Sequence, residues 1–364
     1  MATVPDTDNF SLQDVVDVVN PTTDDLADCF SDATAALFDY RYQGIKDRLS
    51  NFRNYGVEGI WTYRDNDVRI GHLCYGVATD GVIIASVWDD GLRTNSIDGY
   101  GVISAVLDTY GSTVFYDIWY QSGYFYVAAD TYGIVYFSID GSGNISYNGA
   151  HDAGGSYLSV SGDGSDYIYA VRVDSSDYIL MMYNEYVPSG VIDSYNSGGT
   201  YLKHVCYAGS NLYAAGADGL YKFTWNGTTL AYVTKYTTYS LWQDVIEKDD
   251  FVIGVTSDNG IMIYSNTGTY LDSYDVGGVY GALCGHDQFI AVVHNVGGSS
   301  TPRINSVISH KYEDDGDVFQ IDKEDRSGYT YRDICSIGNF VCVADFGYYN
   351  GGASGTLLIF EITS

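Results

Sequence analysis

The chain has 364 residues, with 17 basic and 47 acidic side chains and a formal net charge of −30. A surface this acidic will not grip a polyanion, so nucleic acid is not an expected partner. Neither a membrane-spanning apolar run nor a basic segment followed by an apolar one occurs, so neither membrane insertion nor a secretory leader is expected. At 46% hydrophobic and 15% aromatic residues, the composition supports a sizeable core rather than disorder.

The first segment reads as helical. Ser11 opens it, with Asp14 three residues on, a capping box with Asp in place of Glu. Leu12, Val15, Val16 and Val19 share one face, and Pro21 ends the pattern. A second helix is predicted over 24–33, burying Leu26, Cys29 and Phe30. A third is predicted over 44–52, with Ile45, Leu49 and Phe52 on one face. Three short helices over roughly 50 residues make a marginal core alone. Residues 1–56 are therefore expected to pack against something else, either their own chain or a partner.

After Gly56 the texture changes to short alternating runs of Val, Ile, Tyr and Phe between Asp-Gly, Asn-Gly and Ser-Gly turns, an all-β signal. These runs repeat. One strand type carries a small residue amid bulky ones, as in Val82–Trp88, Tyr124–Asp130, Tyr167–Val171 and Leu212–Gly216. Phe251–Val255, Phe289–Val293 and Phe340–Asp345 continue the series. Measured between Ala85, Ala128, Ala170, Ala214, Gly254, Val292 and Cys342, the spacings are 43, 42, 44, 40, 38 and 50. A second strand precedes each copy by about ten residues, and two more follow it. Four strands per unit of about 42 residues predict a seven-bladed β-propeller over 57–364. The last unit lacks its outer strand. The orphan run at 59–64, with Ile60, Trp61 and Tyr63, is expected to supply it and so tie the ends of the domain together.

The strand preceding each small-residue strand is expected to be innermost. One register along it holds His72, Asp117, His204, Asp244 and Asp333. These are candidate channel-mouth ligands for a cation such as calcium, which takes several oxygens. The competing expectation is that each bonds the backbone of the next blade. Cys74, Cys206, Cys284 and Cys335 share a neighbouring slot with Trp119. A thiol ring for a soft metal is one reading, and packing between blades is the simpler one. No Cys-x-x-Cys pair occurs, so the six cysteines are expected as free, mostly buried thiols without a confident metal site. Turns such as Asp140-Gly-Ser-Gly-Asn144 do not match the twelve-residue calcium loop and read as hairpins.

Catalytic signals stay at background. Ten arginines show no matched trio for an acidic sugar, and 47 acids guarantee chance carboxylate pairs. No G-x-S-x-G, H-E-x-x-H or phosphate-loop motif occurs. The 37 tyrosines suit strands and blade interfaces, while Tyr236, Tyr239, Tyr348 and Tyr349 near predicted loops are candidate contact aromatics.

The segment from Phe10 to Phe30, continued by Phe38-Asp39 and by Lys46 to Gly56, resembles the start of virion proteins of tailed phages infecting Bacteroidota, flavobacterial hosts especially. The resemblance covers about 50 of 364 residues. It implies a virion-attachment module, with Arg53 and Tyr55 joining the apolar residues Leu12, Val15, Val16, Val19, Leu26, Phe30 and Phe52. It further implies a structural tail, baseplate or appendage protein, assembled in the host cytoplasm and present in multiple copies per particle. Other virion proteins are the implied partners, with no cofactor. Two other classes remain open: a host-receptor or glycan-binding module, and an appendage enzyme cleaving surface polysaccharide. On such a particle the acidic charge reads as a solvated outer surface.

Overall fold

A computed structural model describes residues 11–19, 29 and 61–362. Excepted are 112, 152–154, 186–189, 209–210, 227–228, 249–250, 276–278, 287–288, 297–303, 313–317, 328–330 and 350–351. Of the expected helices, Leu12–Val19 is present with Val15 fully buried, and Cys29 is helical and buried. Leu26, Phe30, Phe52, Arg53 and Tyr55 lie outside the described residues, as does Ile60.

The rest is a β-propeller of four-stranded antiparallel blades. Among the described residues, strand pairing groups the strands into seven four-stranded sheets. Numbered along the chain, blades one to six span 74–110, 115–151, 156–196, 202–236, 242–274 and 279–327. Each runs through four consecutive strands. Blade seven takes three strands from 331–362, and its fourth is Trp61–Ile70. That strand pairs antiparallel with Gly352–Ile362, placing Trp61 opposite Ile362 and Tyr63 opposite Phe360. Arg64 and Glu361 form an ion pair across the same seam. The inner strands of successive blades pack side by side, and Tyr331–Ile337 of blade seven packs against Cys74–Thr79 of blade one.

Period-two alternation explains the near-continuous apolar runs, because both faces of a blade are covered. In Tyr124–Ala129, Phe125, Val127 and Ala129 enter the cluster shared with blade one. Tyr126 and Ala128 enter the cluster shared with blade three. The described residues form seven such clusters, one at each junction between neighbouring blades. Small residues in the second strand leave room for large neighbours: a Cβ on Gly254 would collide with the Trp242 ring. The long last spacing in the repeat has a cause too. Ile304–Tyr312 and Val318–Ser327 run to 9 and 10 residues, against 6 and 5 for the matching strands of blade five.

The acidic-Gly turns are hairpin turns. Asp140 Oδ1 accepts the amides of Ser142 and Asn144 at 2.9 and 3.0 Å, and Gly143 takes φ +84. Asp163 Oδ1 likewise accepts the amides of Ser165, Asp166 and Tyr167. Carboxylates used this way stand in for backbone carbonyls and tighten the turn.

The closing strand sets a clear expectation. Deleting 57–70 strips Gly352–Ile362 of its outer partner, leaving only Phe340–Tyr349 beside it, and exposes a long edge. The variant should show a lower melting temperature and concentration-dependent oligomers by light scattering. Leu358→Ala, a buried truncation at the same blade, should stay monodisperse while losing about 2–5 kcal/mol in urea unfolding.

Candidate functional site: the central channel

The inner strand of each blade carries a bulge near its start, for example between Phe115 and Asp117 and between Trp242 and Asp244. The bulge turns the next side chain toward the axis. The residues placed there are Gly76, Asp117, Ser159, His204, Asp244 and Asp333, with Gly281 and Ala282 spanning the bulge in blade six. Four of the five sequence candidates therefore come together. His72 does not. The inner strand of blade one runs Cys74–Thr79, so its bulge presents Gly76, four residues after His72. His72 instead bonds Asp89 at 2.9 Å, with Asp90 at 3.6 Å and Arg69 neutralising Asp90.

The ring acts first as a set of latches between blades. Asp117 Oδ2 accepts the amide of Val160 in blade three at 2.9 Å. Ser159 Oγ accepts that of Val205 in blade four at 3.2 Å. Asp244 Oδ2 accepts that of Leu283 in blade six at 2.9 Å, and Asp333 Oδ2 that of Val77 in blade one at 2.8 Å. The other oxygen of each aspartate caps its own strand, at Ile118, Val245 and Ile334. Between blades four and five, the latch is side chain to side chain: His204 Nδ1 lies 2.6 Å from Asp244 Oδ1. Its Nε2 faces Asp117 Oδ2 at 4.0 Å. Composition had no way to single out Ser159, since serine is common in turns. The one signal was its position in the repeat.

Electrostatics at the ring follow from burial. Burial disfavours charge on His204, but Asp244, hydrogen-bonded to it, and then Asp117 and Asp333 hold the imidazole up to about 9. Burial raises Asp333, and Asp117 and Asp244 raise it further. Burial also raises Asp117, with His204 partly offsetting that. The ring thus sets one imidazolium among three carboxyl groups, of which Asp333 is pushed up to about 8 and so holds its proton at neutral pH.

Space opens on both sides of this ring. Toward the ends of the inner strands lies a cavity of about 420 Å³, walled by Trp119, Cys206, Cys284 and Cys335. Toward their starts lies one of about 280 Å³, walled by Tyr75, Tyr116, Tyr201, Lys203, Gln243 and Arg332. Cys74 is not in the thiol slot. It pairs with Trp88 one bulge earlier, and Ala78 takes the slot in blade one. The six cysteines are free. Burial pushes the Cys206 thiol up to about 12 and raises Cys284 strongly. Cys335 is raised by its hydrogen bond with the Cys342 thiol, which lies opposite it, and by burial.

The candidate contact aromatics divide. Tyr236 stacks on Tyr264 with centroids 5.1 Å apart, and Tyr239 packs at the same junction. Both are partly buried against the cluster between blades four and five rather than presented as a free surface. Tyr348 and Tyr349 fall in the strand Phe340–Tyr349, paired with Ala353 and Gly352, and their side chains lie outside the described residues. Exposed tyrosines occur elsewhere, at Tyr100 (82% exposed), Tyr132 and Tyr147.

Comparison with known proteins extends the fold and no further. No family model matches the chain, and no curated protein matches it in sequence. Among solved structures, the chain is similar to the WD40 β-propeller domain of Doa1, at 13% identity and TM-score 0.58 over 84% of this chain and 98% of that one. A chain of the mitotic checkpoint complex is similar at 11% identity and TM-score 0.63, over 83% and 92%. A catalytically inactive virginiamycin B lyase from Staphylococcus aureus, solved with quinupristin, is similar at 10% identity and TM-score 0.54, over 80% and 99%.

Two outcomes follow from the ring and its thiols. The His204 imidazole sits above its ordinary value of about 6.5, so its contribution is complete below that pH and fades as pH rises through about 9. Raised carboxyls at Asp117 and Asp333 act in the same direction. Melting temperature should fall between pH 6 and 9.5, and His204→Gln should melt lower at pH 6 with a flatter dependence above it. Separately, a thiol held near 12 is about 10⁻⁴ thiolate at pH 8. Iodoacetamide at pH 8 should therefore label the folded protein far more slowly than the urea-unfolded chain, read by mass spectrometry.

Proposed function

We propose that the chain is a structural virion protein of a tailed bacteriophage, in which residues 1–56 dock on the particle and the propeller is displayed for contact with proteins or the host surface. The observation that carries this is the phage-like wording of the segment from Phe10 to Gly56. The fold supports it, because a closed ring of blades offers rigid loops and a channel for interaction while needing no other chain to complete its sheets. The seven-unit repeat and the closing strand fit a display domain that must survive outside a cell. Several copies per particle, with other virion proteins as neighbours and no cofactor, complete the reading.

A second reading, binding of a host receptor or glycan, is favoured by the smaller cavity, where Lys203, Arg332 and three tyrosines converge. It is compatible with the first, since a displayed domain needs a target.

The docking role is tested by deleting residues 2–56 in the phage. The truncated protein should keep its melting transition yet be missing from purified particles by mass spectrometry. Normal incorporation of the truncated chain would defeat the docking role.

A further inference from the structure

Two junctions at the rim of the propeller repeat one arrangement. Asp108-Thr109-Tyr110 forms the outer strand of blade one, and Asp193-Ser194-Tyr195 lies in that of blade three. Asp108 Oδ2 accepts the amide of Ile145 in blade two at 2.8 Å, and Asp193 Oδ2 that of Leu230 in blade four at 2.6 Å. Each latch lays its tyrosine parallel to one two residues further along the neighbouring strand. Tyr110 stacks on Tyr147 with centroids 6.0 Å apart at 3°, and Tyr195 on Tyr232 at 5.7 Å and 9°. A buried phenylalanine braces each pair edge-on. Phe137 stands 4.8 Å from Tyr110 and 6.0 Å from Tyr147, and Phe223 stands 4.9 Å from Tyr195 and 5.9 Å from Tyr232. One aromatic triad is thus built twice, two blades apart.

The outer member of each triad faces water: Tyr147 is 53% exposed and Tyr232 48%. The fold itself asks for no ring at this place. Tyr147 pairs with Phe137, and Tyr232 with Phe223, at the bulge between third and fourth strands. The same position holds Val191, paired with Tyr183, in blade three and Gln320, paired with His310, in blade six. In blade five Tyr270 takes it, but its hydroxyl is tied to Ser273 at 2.8 Å and its ring meets Tyr239 at 46°. Packing therefore does not account for two half-exposed rings held in matching geometry. A tyrosine fixed by a stacked ring and an edge-on ring is a rigid platform, with little freedom to lose when a ligand settles on it.

We propose that Tyr147 and Tyr232 are twin platforms for a neutral polysaccharide, each taking one pyranose ring on its exposed face. A pyranose has a face of C–H groups that lies flat on an aromatic ring while its hydroxyls stay in water. Each triad offers one platform, since its phenylalanine is buried and its second tyrosine is the less exposed. One platform suits a single sugar ring, whereas a proline-rich peptide docks in a groove lined by several aromatics. Charge selects a neutral polymer, because a chain of net charge −30 repels an anionic one. Two matching sites suit a ligand with a repeating unit, for which the second contact is intramolecular. This deepens the glycan reading above and rests on it, while placing the contact at the rim.

The test uses the full chain in native gels cast with a soluble polysaccharide. The neutral polymers are hydroxyethyl cellulose, galactomannan, xylan and dextran, with alginate as the anionic control and poly-L-proline as the peptide control. At least one neutral polymer should retard the chain, and neither control should. Tyr147→Thr and Tyr232→Thr keep strand propensity but remove the ring. Each should weaken retardation about tenfold, as when one of two linked contacts is lost. The double variant should run as though no polymer were present, and Tyr147→Phe should behave as the parent chain does. The sites are separate, so either Thr variant carries the test if the other folds poorly. No retardation by any neutral polymer, unchanged retardation of a folded Thr variant, or equal retention by alginate or poly-L-proline would each overturn the proposal. Binding to intact flavobacterial cells separates the two readings. Equal binding by the parent chain and the folded double variant would remove the tyrosine platforms and leave the surface-contact reading standing.

Discussion

Packing between neighbouring blades is the constraint on which the rest of this structure depends. No blade has a core of its own. Each sheet is one layer, and its two faces are hidden by two different neighbours, as Phe125 and Tyr126 show by pointing into separate clusters. A layer hidden on one side only would leave an apolar face in water. The arrangement therefore satisfies itself only when the last blade meets the first. Trp61–Ile70 serves that end by giving blade seven an outer strand drawn from the start of the domain.

The polar ring around the axis answers a related need. Near the axis the inner strands converge, and a bulge in each leaves backbone amides turned toward the next blade. Buried amides require partners. Asp117, Ser159, Asp244 and Asp333 supply them across junctions that apolar contacts alone would leave free to slide. His204 then offsets part of the charge of the carboxyl groups gathered in one narrow space. Lys203 and Arg332 line the mouth above that floor together with Asp117, Asp244 and Asp333.

Much of this was legible in the sequence, for reasons that can be named. Alternation in runs such as Val82–Trp88 and the Asp-Gly turns report local backbone preference, and the roughly 42-residue repeat reports four strands per unit. The orphan run near Trp61 was recognisable because the last unit lacked a strand. The register at the axis was legible wherever the bulge fell at the same offset, which placed Asp117, His204, Asp244 and Asp333 together. It misled in blade one, where His72 and Cys74 resemble the pattern but lie four residues too early. A bulge is a matter of pairing with the next strand, and pairing is not written in the residues of one strand alone. Tyr236 and Tyr239 misled for a similar reason, since a tyrosine near a turn can face solvent or a neighbouring blade with the same local sequence.

By itself, the sequence determined the class of fold, the size of the repeating unit and the strand that closes it, because these depend on periodicity and on residues near in the chain. The tertiary structure decided which side chains meet at the axis, which carboxylates are consumed by backbone amides, and where two of the few cations converge. Those outcomes depend on junctions between residues some 40 positions apart, such as Asp117 with Val160 or Asp244 with Leu283. Only the folded ring brings such residues within hydrogen-bonding distance.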